Sequence, residues 1–112
     1  MKLHPYVTTG GKNLILDYID DLNNDEMIDG YSVLMKLAQK KFNELTIKKW
    51  RGKISEVYFY KHNRIFYVAI DNEDMYLIHA CRKQKNKTET KDSQIIIKRT
   101  KELEEKLSLK LI

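Results

Sequence analysis

The chain has 112 residues, of which 33% are charged and 42% hydrophobic, and its formal net charge is +5. This length suits one domain with its own core, so the prediction is a single domain over residues 1–112. The composition excludes a disordered chain, and no apolar run approaches the ~20 residues of a membrane span. Without an apolar signal segment at its start, and with one cysteine, the sequence predicts a cytoplasmic protein that has no disulfide.

Charge is unevenly distributed along the chain. Residues 1–30 contain two lysines and six acidic residues, whereas residues 31–112 contain 19 lysines and arginines against 10 acidic residues. The basic residues concentrate in two stretches, 36–64 and 79–101. A basic domain of this kind suggests a polyanionic partner, nucleic acid above all, although a solvated lysine-rich surface has the same composition.

The first half of the chain predicts a short strand within residues 3–9 and then two helices. Apolar residues recur at helical spacing over residues 13–24, with Asn13 as the N-cap. The same spacing returns over residues 25–40, with Glu26 in an acidic first turn that the helix dipole favours. The short joint between them predicts a helical hairpin.

The second half of the chain predicts three strands of an antiparallel meander, at residues 53–61, 64–70 and 75–81. His62-Asn63 is the expected two-residue turn, and a last helix follows with an apolar stripe from Ile96 to Leu107. Because helices and strands come in blocks, the predicted class is α+β. The predicted architecture is an N-terminal helical hairpin packed on a small antiparallel sheet of three to four strands, with a C-terminal helix.

Basic side chains are expected to meet at one end of this meander. Arg64 begins the central strand, while Arg82 and Lys83 follow the end of its neighbour. Antiparallel pairing places the start of one strand beside the end of the next. Lys61 lies beside Arg64 across the turn. Ordinary charged strand ends give the same pattern, but two separate segments converge here, which favours a site for a polyanion.

Two tyrosines, Tyr58 and Tyr60, alternate with apolar residues of the first strand. Facing solvent beside lysines, they could stack on unpaired bases. Facing the other way, they could cover the helical hairpin as part of the core. The sequence leaves both arrangements open.

The side chains that remain for chemistry are lysine, arginine, tyrosine, glutamate and histidine, and neither a metal motif nor another cofactor motif is present. Such a set can cleave RNA without a metal, because cations stabilise the phosphorane while one group moves each proton. Glu56 or a lysine could be the base. His79 and Cys81 lie in an apolar strand, where a packed histidine and an inert thiol are the ordinary arrangements.

Three segments follow the helical hairpin in order: Gly52–Tyr58 with Glu56, Arg64–Tyr67 and Leu77–Thr88. Together they resemble the RelE/ParE toxin superfamily in its HigB-like branch, over roughly residues 13–103. The resemblance implies a RelE-like fold and the toxin of a type II toxin–antitoxin pair. Such a toxin is a metal-independent mRNA endoribonuclease, often acting on the ribosome, and a cognate antitoxin of the helix-turn-helix type neutralises it. Neither a cofactor nor a membrane is implied.

The resemblance also assigns roles by position. Arg64 would contact the scissile phosphate, Lys83 would stabilise its charge, and Glu56 takes the place of the family's strand glutamate. Tyr58 and Gln84 depart from the family pattern, so Tyr58 would stack or transfer a proton in place of an arginine. The predicted catalytic residues are Arg64, Lys83, Glu56 and Tyr58, and the predicted RNA-binding residues are Arg82, Lys87, Lys61, Tyr60 and Lys85.

Two other functions stay open. One is a ParE-like toxin that inhibits gyrase by binding protein, without RNA chemistry. The other is a catalytically inactive RNA-binding or regulatory relative, which the departures at Tyr58 and Gln84 would explain.

Overall fold

The computed structural model of the chain describes residues 1–83, 88 and 90–112. Within these residues there are five β-strands and three α-helices: β1 (Lys2–Pro5), α1 (Leu14–Asp20), α2 (Asn24–Ala38), β2 (Thr46–Arg51), β3 (Ile54–Phe59), β4 (Asn63–Ala69), β5 (Asp74–Arg82) and α3 (Thr90–Leu107). A short 3-10 helix at Phe42–Glu44 precedes β2.

The strands form one sheet in the order β1-β5-β4-β3-β2. Strands β2 to β5 pair with their neighbours in antiparallel fashion, whereas β1 pairs with β5 in parallel. The α+β class, the meander and the helical hairpin are therefore as predicted. The prediction was wrong in two details: the sheet has five strands, and it is not wholly antiparallel. The predicted architecture also begins with the hairpin, but β1 precedes it, in agreement with the short strand expected within residues 3–9.

Both strands outside the predicted meander lie at the edges of the sheet. β1 has only four residues, and four of the six side chains of β2 are exposed. An edge strand needs little apolar surface, and lysines along an edge discourage pairing with other chains. The register of β2 also shifts between Lys49 and Arg51. This combination of lysines and an irregular register hides β2 from a search for alternating apolar residues.

The helical hairpin packs on one face of the sheet. Asn13 caps α1 by accepting a hydrogen bond from the Leu16 amide at 3.0 Å, as predicted, and Asn23 caps α2. The buried core of this face consists of Ile15, Ile19, Val33, Leu37, Val57, Phe59, Ile65, Tyr67, Met75, Leu77 and Ala80. Burying a side chain such as Leu or Ile contributes about 1.5–3 kcal/mol, so this layer fixes the hairpin on the sheet.

The helix α3 packs on the opposite face. The buried core there consists of Ile54, Phe66, Val68, Ile78, Cys81, Ile96 and Leu111. Because side chains alternate across a strand, Ile65 and Tyr67 of β4 face the hairpin, whereas Arg64 and Phe66 face α3. None of the helices in the described ranges is long and apolar enough to span a bilayer.

Candidate functional site

A row of polar side chains lies on the α3 face, where β4 begins and β5 ends. In the sheet register Tyr58 stands opposite Arg64, and Arg64 stands opposite Cys81. Glu56 shares this face with Tyr58 because the two are separated by one residue of the same strand. Side chains that face each other across antiparallel strands are close enough to interact. The sheet therefore gathers polar groups from three strands at this end.

Four side chains form one hydrogen-bonded chain, which we call the Glu56 network (Glu56, Tyr58, Arg64 and Lys83). The Glu56 carboxylate accepts a hydrogen bond from Nη1 of Arg64 at 3.1 Å and another from the Tyr58 hydroxyl. The Tyr58 oxygen in turn accepts a hydrogen bond from Nζ of Lys83 at 2.9 Å. The structure thus brings all four predicted catalytic residues into contact.

The Glu56 network runs from the surface into the protein. Tyr58 and Lys83 are half-buried, whereas Glu56 is 4% exposed and Arg64 is 1% exposed. The guanidinium carbon of Arg64 lies 5.1 Å from the centroid of the Phe66 ring, and its buried Nε donor has no partner among the described residues. In this conformation Arg64 holds Glu56 and does not reach a phosphate in solvent. The Tyr58 hydroxyl and the Lys83 ammonium are the groups open to a ligand.

A second lysine lies beside Tyr58, and no pattern in the sequence predicts its position there. Lys48 of β2 stands opposite Glu56, and its Nζ lies 5.5 Å from the centroid of the Tyr58 ring. Nζ of Lys83 lies 5.1 Å from the same centroid. Two cations close to one aromatic ring interact favourably with it and make the surface electropositive. Only the pairing of β2 with β3 places Lys48 here, and β2 is the strand that sequence patterning misses.

Arg82 lies at the predicted end of the sheet, but its side chain points to the hairpin face. Its register partner is Asn63, and both donate to Oε1 of Glu26, Arg82 through Nη2 at 2.7 Å and Asn63 through Nδ2 at 2.8 Å. The Tyr18 hydroxyl donates to Oδ1 of Asn63 at 2.5 Å. We call these four residues the Glu26 network. Arg64 and Arg82 therefore share one end of the sheet, as predicted, without forming one basic cluster.

The pKa values in the Glu26 network are set by its hydrogen bonds and by burial. The Asn63 amide first, and Arg82 after it, hold the pKa of Glu26 below its ordinary value, although burial acts in the opposite direction. Burial raises the pKa of Tyr18 to about 12. Tyr18 is therefore a hydrogen-bond donor and Glu26 a charged acceptor at neutral pH.

The predicted RNA-binding residues Tyr60 and Lys61 lie on the loop between β3 and β4. The turn is centred on Lys61 and His62, with φ of 57° and 72°, not on His62 and Asn63, because Asn63 is already paired in the ladder. Tyr60 is 42% exposed, and Nζ of Lys61 lies 5.4 Å from its ring centroid. Tyr58 faces α3 and Tyr60 faces solvent, so the arrangement in which both cover the hairpin is wrong.

Two more lysines, Lys85 and Lys87, were predicted to bind RNA. Both lie outside the described residues, as does Gln84. Their roles stay predictions from the sequence.

His79 is packed between β5 and α3, which is the arrangement that its apolar strand favours. Its Nε2 lies 2.8 Å from Oδ1 of Asp92, and its Nδ1 lies 3.3 Å from Nη1 of Arg99. Burial lowers the pKa of His79, with Arg99 and Arg64 acting in the same direction and Asp92 opposing them. Burial also raises the pKa of Cys81 to about 12, so its thiol is not a nucleophile at neutral pH.

His79, Cys81 and Asp92 each bring a ligand atom within 4.8 Å of the others, although their spacing in the sequence predicts no metal site. A metal-binding imidazole normally donates from its second nitrogen to an acceptor. Nδ1 of His79 instead faces the guanidinium of Arg99, which is a donor and a cation. His79 and Asp92 therefore fit a hydrogen-bonded connection between β5 and α3 better than a metal site.

A groove of about 490 Å³ lies away from both networks, between β1 and α3. In it the Tyr6 hydroxyl donates to Oε2 of Glu102 at 3.0 Å, and the guanidinium carbon of Arg99 lies 4.3 Å from the Tyr6 ring centroid. None of the described residues that line the groove is a predicted site residue, whereas the Glu56 network joins all four predicted catalytic residues and is therefore the candidate site.

The fold and the site define a class: a small α+β protein whose five-stranded sheet carries a lysine–tyrosine–glutamate–arginine network at one end. A sequence model of the phage-derived Gp49-like proteins (DUF891) matches residues 17–101, which include the whole Glu56 network, and the chain belongs to this family. The family is related to the RelE-like toxins of toxin–antitoxin systems, which agrees with the resemblance and implies an antitoxin partner. No curated protein matches the sequence. The HigB-like branch and the ribonuclease activity stay predictions.

Proposed function

We propose that this protein is a HigB-like toxin of a type II toxin–antitoxin pair, which cleaves mRNA, free or on the ribosome, without a metal ion. The observation that carries the proposal is the chain of hydrogen bonds from Lys83 through Tyr58 to Glu56. It joins a cation and a hydroxyl at the surface to a carboxylate beneath them. A proton accepted at Tyr58 thus has a route to a buried base.

In this mechanism the 2′-oxygen of the RNA attacks the adjacent phosphorus, and the bond from phosphorus to the next 5′-oxygen breaks. The products are a 2′,3′-cyclic phosphate and a 5′-hydroxyl. The oxygen of Tyr58 takes the 2′-hydroxyl proton while its own proton passes to Glu56. The Lys83 ammonium stabilises the charge that develops on the phosphate oxygens and protonates the leaving 5′-oxygen.

The other predicted residues act around this centre. Arg64 binds the Glu56 carboxylate from inside the protein, so its role is to hold that carboxylate in place and to balance its negative charge. Tyr60 and Lys61 form an exposed aromatic and cationic pair, which suits an unpaired base and its phosphate. The Arg82 side chain is 41% exposed, so its free edge can add a phosphate contact.

The test measures cleavage of a single-stranded mRNA fragment by the purified protein, with and without translating ribosomes, in the presence of a chelator. Tyr58→Phe removes the hydroxyl that links Lys83 to Glu56, so we expect cleavage to slow by about 10²–10⁴-fold. Tyr31→Phe is the matched control, because its hydroxyl binds Asp20 on the helical hairpin. The control should cleave at the rate of the unmodified protein.

Three outcomes would contradict the proposal. The first is full activity in Tyr58→Phe, and the second is loss of cleavage in the chelator. The third is RNA that stays intact under every condition: stalled gyrase would then favour the ParE-like function, and RNA bound but uncut would favour an inactive relative.

A further inference from the structure

Among the described residues, the proposed mechanism leaves one buried carboxylate unused. Glu26 of α2 is 3% exposed and lies on the face of the sheet opposite Glu56. Asn23 and Glu26 have the spacing of a capping box, in which the glutamate side chain returns to the N-cap amide. Of that box only one half is present among the described residues, the hydrogen bond from the Glu26 amide to Oδ1 of Asn23 at 3.1 Å. The carboxylate points instead to Asn63 and Arg82.

Those two partners of Glu26 hold the loop between β3 and β4. All three carbonyls of the loop accept hydrogen bonds: Tyr60 from Nδ2 of Asn63 at 2.5 Å, Lys61 from Nη1 of Arg82 at 3.1 Å, and His62 from the Lys83 amide at 2.6 Å. Glu26 therefore orients the donors of the first two bonds.

The loop needs such support because of its backbone. Lys61 and His62 both have left-handed φ, which is unfavourable for residues other than glycine. A second residue of α2 adds a bond from outside, since Oδ2 of Asp29 accepts a hydrogen bond from the Tyr60 amide at 2.7 Å. The loop is thus held against α2 by two carboxylates.

The same contacts set the position of Lys83. Arg82 is bound to Glu26, and the next residue, Lys83, donates through its amide to the loop and through Nζ to Tyr58. A chain of contacts therefore runs from Glu26, through the end of β5, to the surface end of the Glu56 network on the other face of the sheet.

We infer that Glu26 is a positioning residue, which fixes the Tyr60–Lys61 loop and Lys83 in the geometry that binds single-stranded RNA. The part of this inference that concerns RNA binding rests on the proposed function. Glu26 touches no substrate; it acts through Asn63 and Arg82. The feature that matters is its charge, because a neutral amide of the same shape holds a guanidinium less strongly than a carboxylate does.

The test compares Glu26→Gln with a control, Glu104→Gln. Glu104 also binds two donors, the amides of Leu111 and Ile112, but these lie in the C-terminal tail. The first readout is amide hydrogen exchange at Tyr60 and Lys83, whose amides donate hydrogen bonds to Asp29 and to the loop, measured without RNA. Glu26→Gln should accelerate exchange at these amides, and Glu104→Gln should leave them unchanged.

The second readout is the affinity for a single-stranded RNA that carries 2′-O-methyl groups, so that it is bound but not cut. We expect Glu26→Gln to weaken binding about tenfold or more, the loss of one charged hydrogen bond, and Glu104→Gln to bind normally. Asp29→Ala removes the acceptor of the Tyr60 amide at the half-buried rim of the loop, so it should also weaken RNA binding, but less than Glu26→Gln does. If Glu26→Gln does not fold, Arg82→Met provides the test through the exchange readout, because it removes the guanidinium through which Glu26 acts.

Unchanged exchange at Tyr60 and Lys83 in Glu26→Gln, or in Arg82→Met if that variant has to replace it, would overturn the inference. Equal loss of RNA affinity in Glu104→Gln would also overturn it, because the effect would then follow stability and not the loop. If the unmodified protein binds no RNA, the proposed function fails, and the exchange readout alone decides whether Glu26 positions the loop.

Discussion

Two glutamate–arginine pairs lie at the same end of the sheet, one on each face, and they are built differently. Glu56 and Arg64 join two neighbouring strands at 3.1 Å, and both side chains are almost wholly covered by protein. Glu26 and Arg82 join a helix to a strand at 2.7 Å, and Arg82 is 41% exposed while Glu26 is buried. The first pair is enclosed, and the second is open on the arginine side.

The difference indicates what each pair can do. An enclosed ion pair gains little net stability, because removing both charges from water costs about as much as their attraction returns. Glu56 and Arg64 also lie beneath Tyr58, so under the proposed function the pair serves the proton transfer at that hydroxyl. The open pair connects the hairpin to the end of β5, and under the proposed function its exposed arginine edge can also contact RNA.

Breaking the enclosed pair should have the largest effect. Arg64→Ala leaves the Glu56 carboxylate buried without its cation, so we expect the free energy of unfolding to fall by about 3–5 kcal/mol. Denaturant unfolding of the purified variant measures this loss. A loss of less than about 1 kcal/mol would contradict this expectation, because the pair would then contribute no more to stability than an exposed ion pair does.

The double variant Glu56→Met with Arg64→Met is the control for this prediction. Replacing both charges by apolar side chains of similar length should recover most of the lost stability. Cleavage of RNA should nevertheless stay absent, because the proton route from Tyr58 ends without a base. Activity in the double variant would show that the pair is structural only.

The sequence predicts the end of the sheet at which these pairs lie but not the faces. Arg64 and Arg82 can be placed from the meander alone, since antiparallel pairing fixes which strand ends meet. The face of Arg82 is hidden because β5 is buried along most of its length and shows no alternation of polar and apolar residues. The helices were predictable because their apolar stripes are regular. The cap at Asn13 was predictable because it stands directly before the first of these stripes.

Long-range contacts account for the rest of what the sequence does not show. The position of Glu26 in the first turn of α2 suggests a local role at the helix terminus, whereas its carboxylate binds residues 37 and 56 positions away. Lys48 lies beside Tyr58 only because an irregular edge strand pairs with β3. Neither contact follows from the spacing of residues along the chain.

Breaking the open pair should cost less stability than breaking the enclosed one. In Arg82→Met the Glu26 carboxylate keeps its hydrogen bond from Asn63, and the lost guanidinium was partly in water. Denaturant unfolding should therefore give a smaller decrease than for Arg64→Ala under the same conditions. An equal or larger decrease would mean that the two pairs are energetically alike, despite their different exposure.

The smallest expected effect is a pH dependence confined to the α3 face. Burial lowers the pKa of His79, while Asp92 and Arg99 of α3 and Arg64 of β4 are the charged groups that face it. The unfolded chain therefore binds a proton at His79 more readily than the folded chain does. The stability that the neutral His79 contributes is fully present above the ordinary histidine pKa of about 6.5, and it is lost as pH falls through the lower pKa of the folded state. His79→Gln, which cannot titrate, should unfold with a flatter dependence on pH between 7 and 5 than the unmodified protein. Tyr31→Phe, which removes only the hydroxyl that binds Asp20 on the hairpin, should keep the full dependence. Identical curves for His79→Gln and the unmodified protein would contradict the assignment to His79.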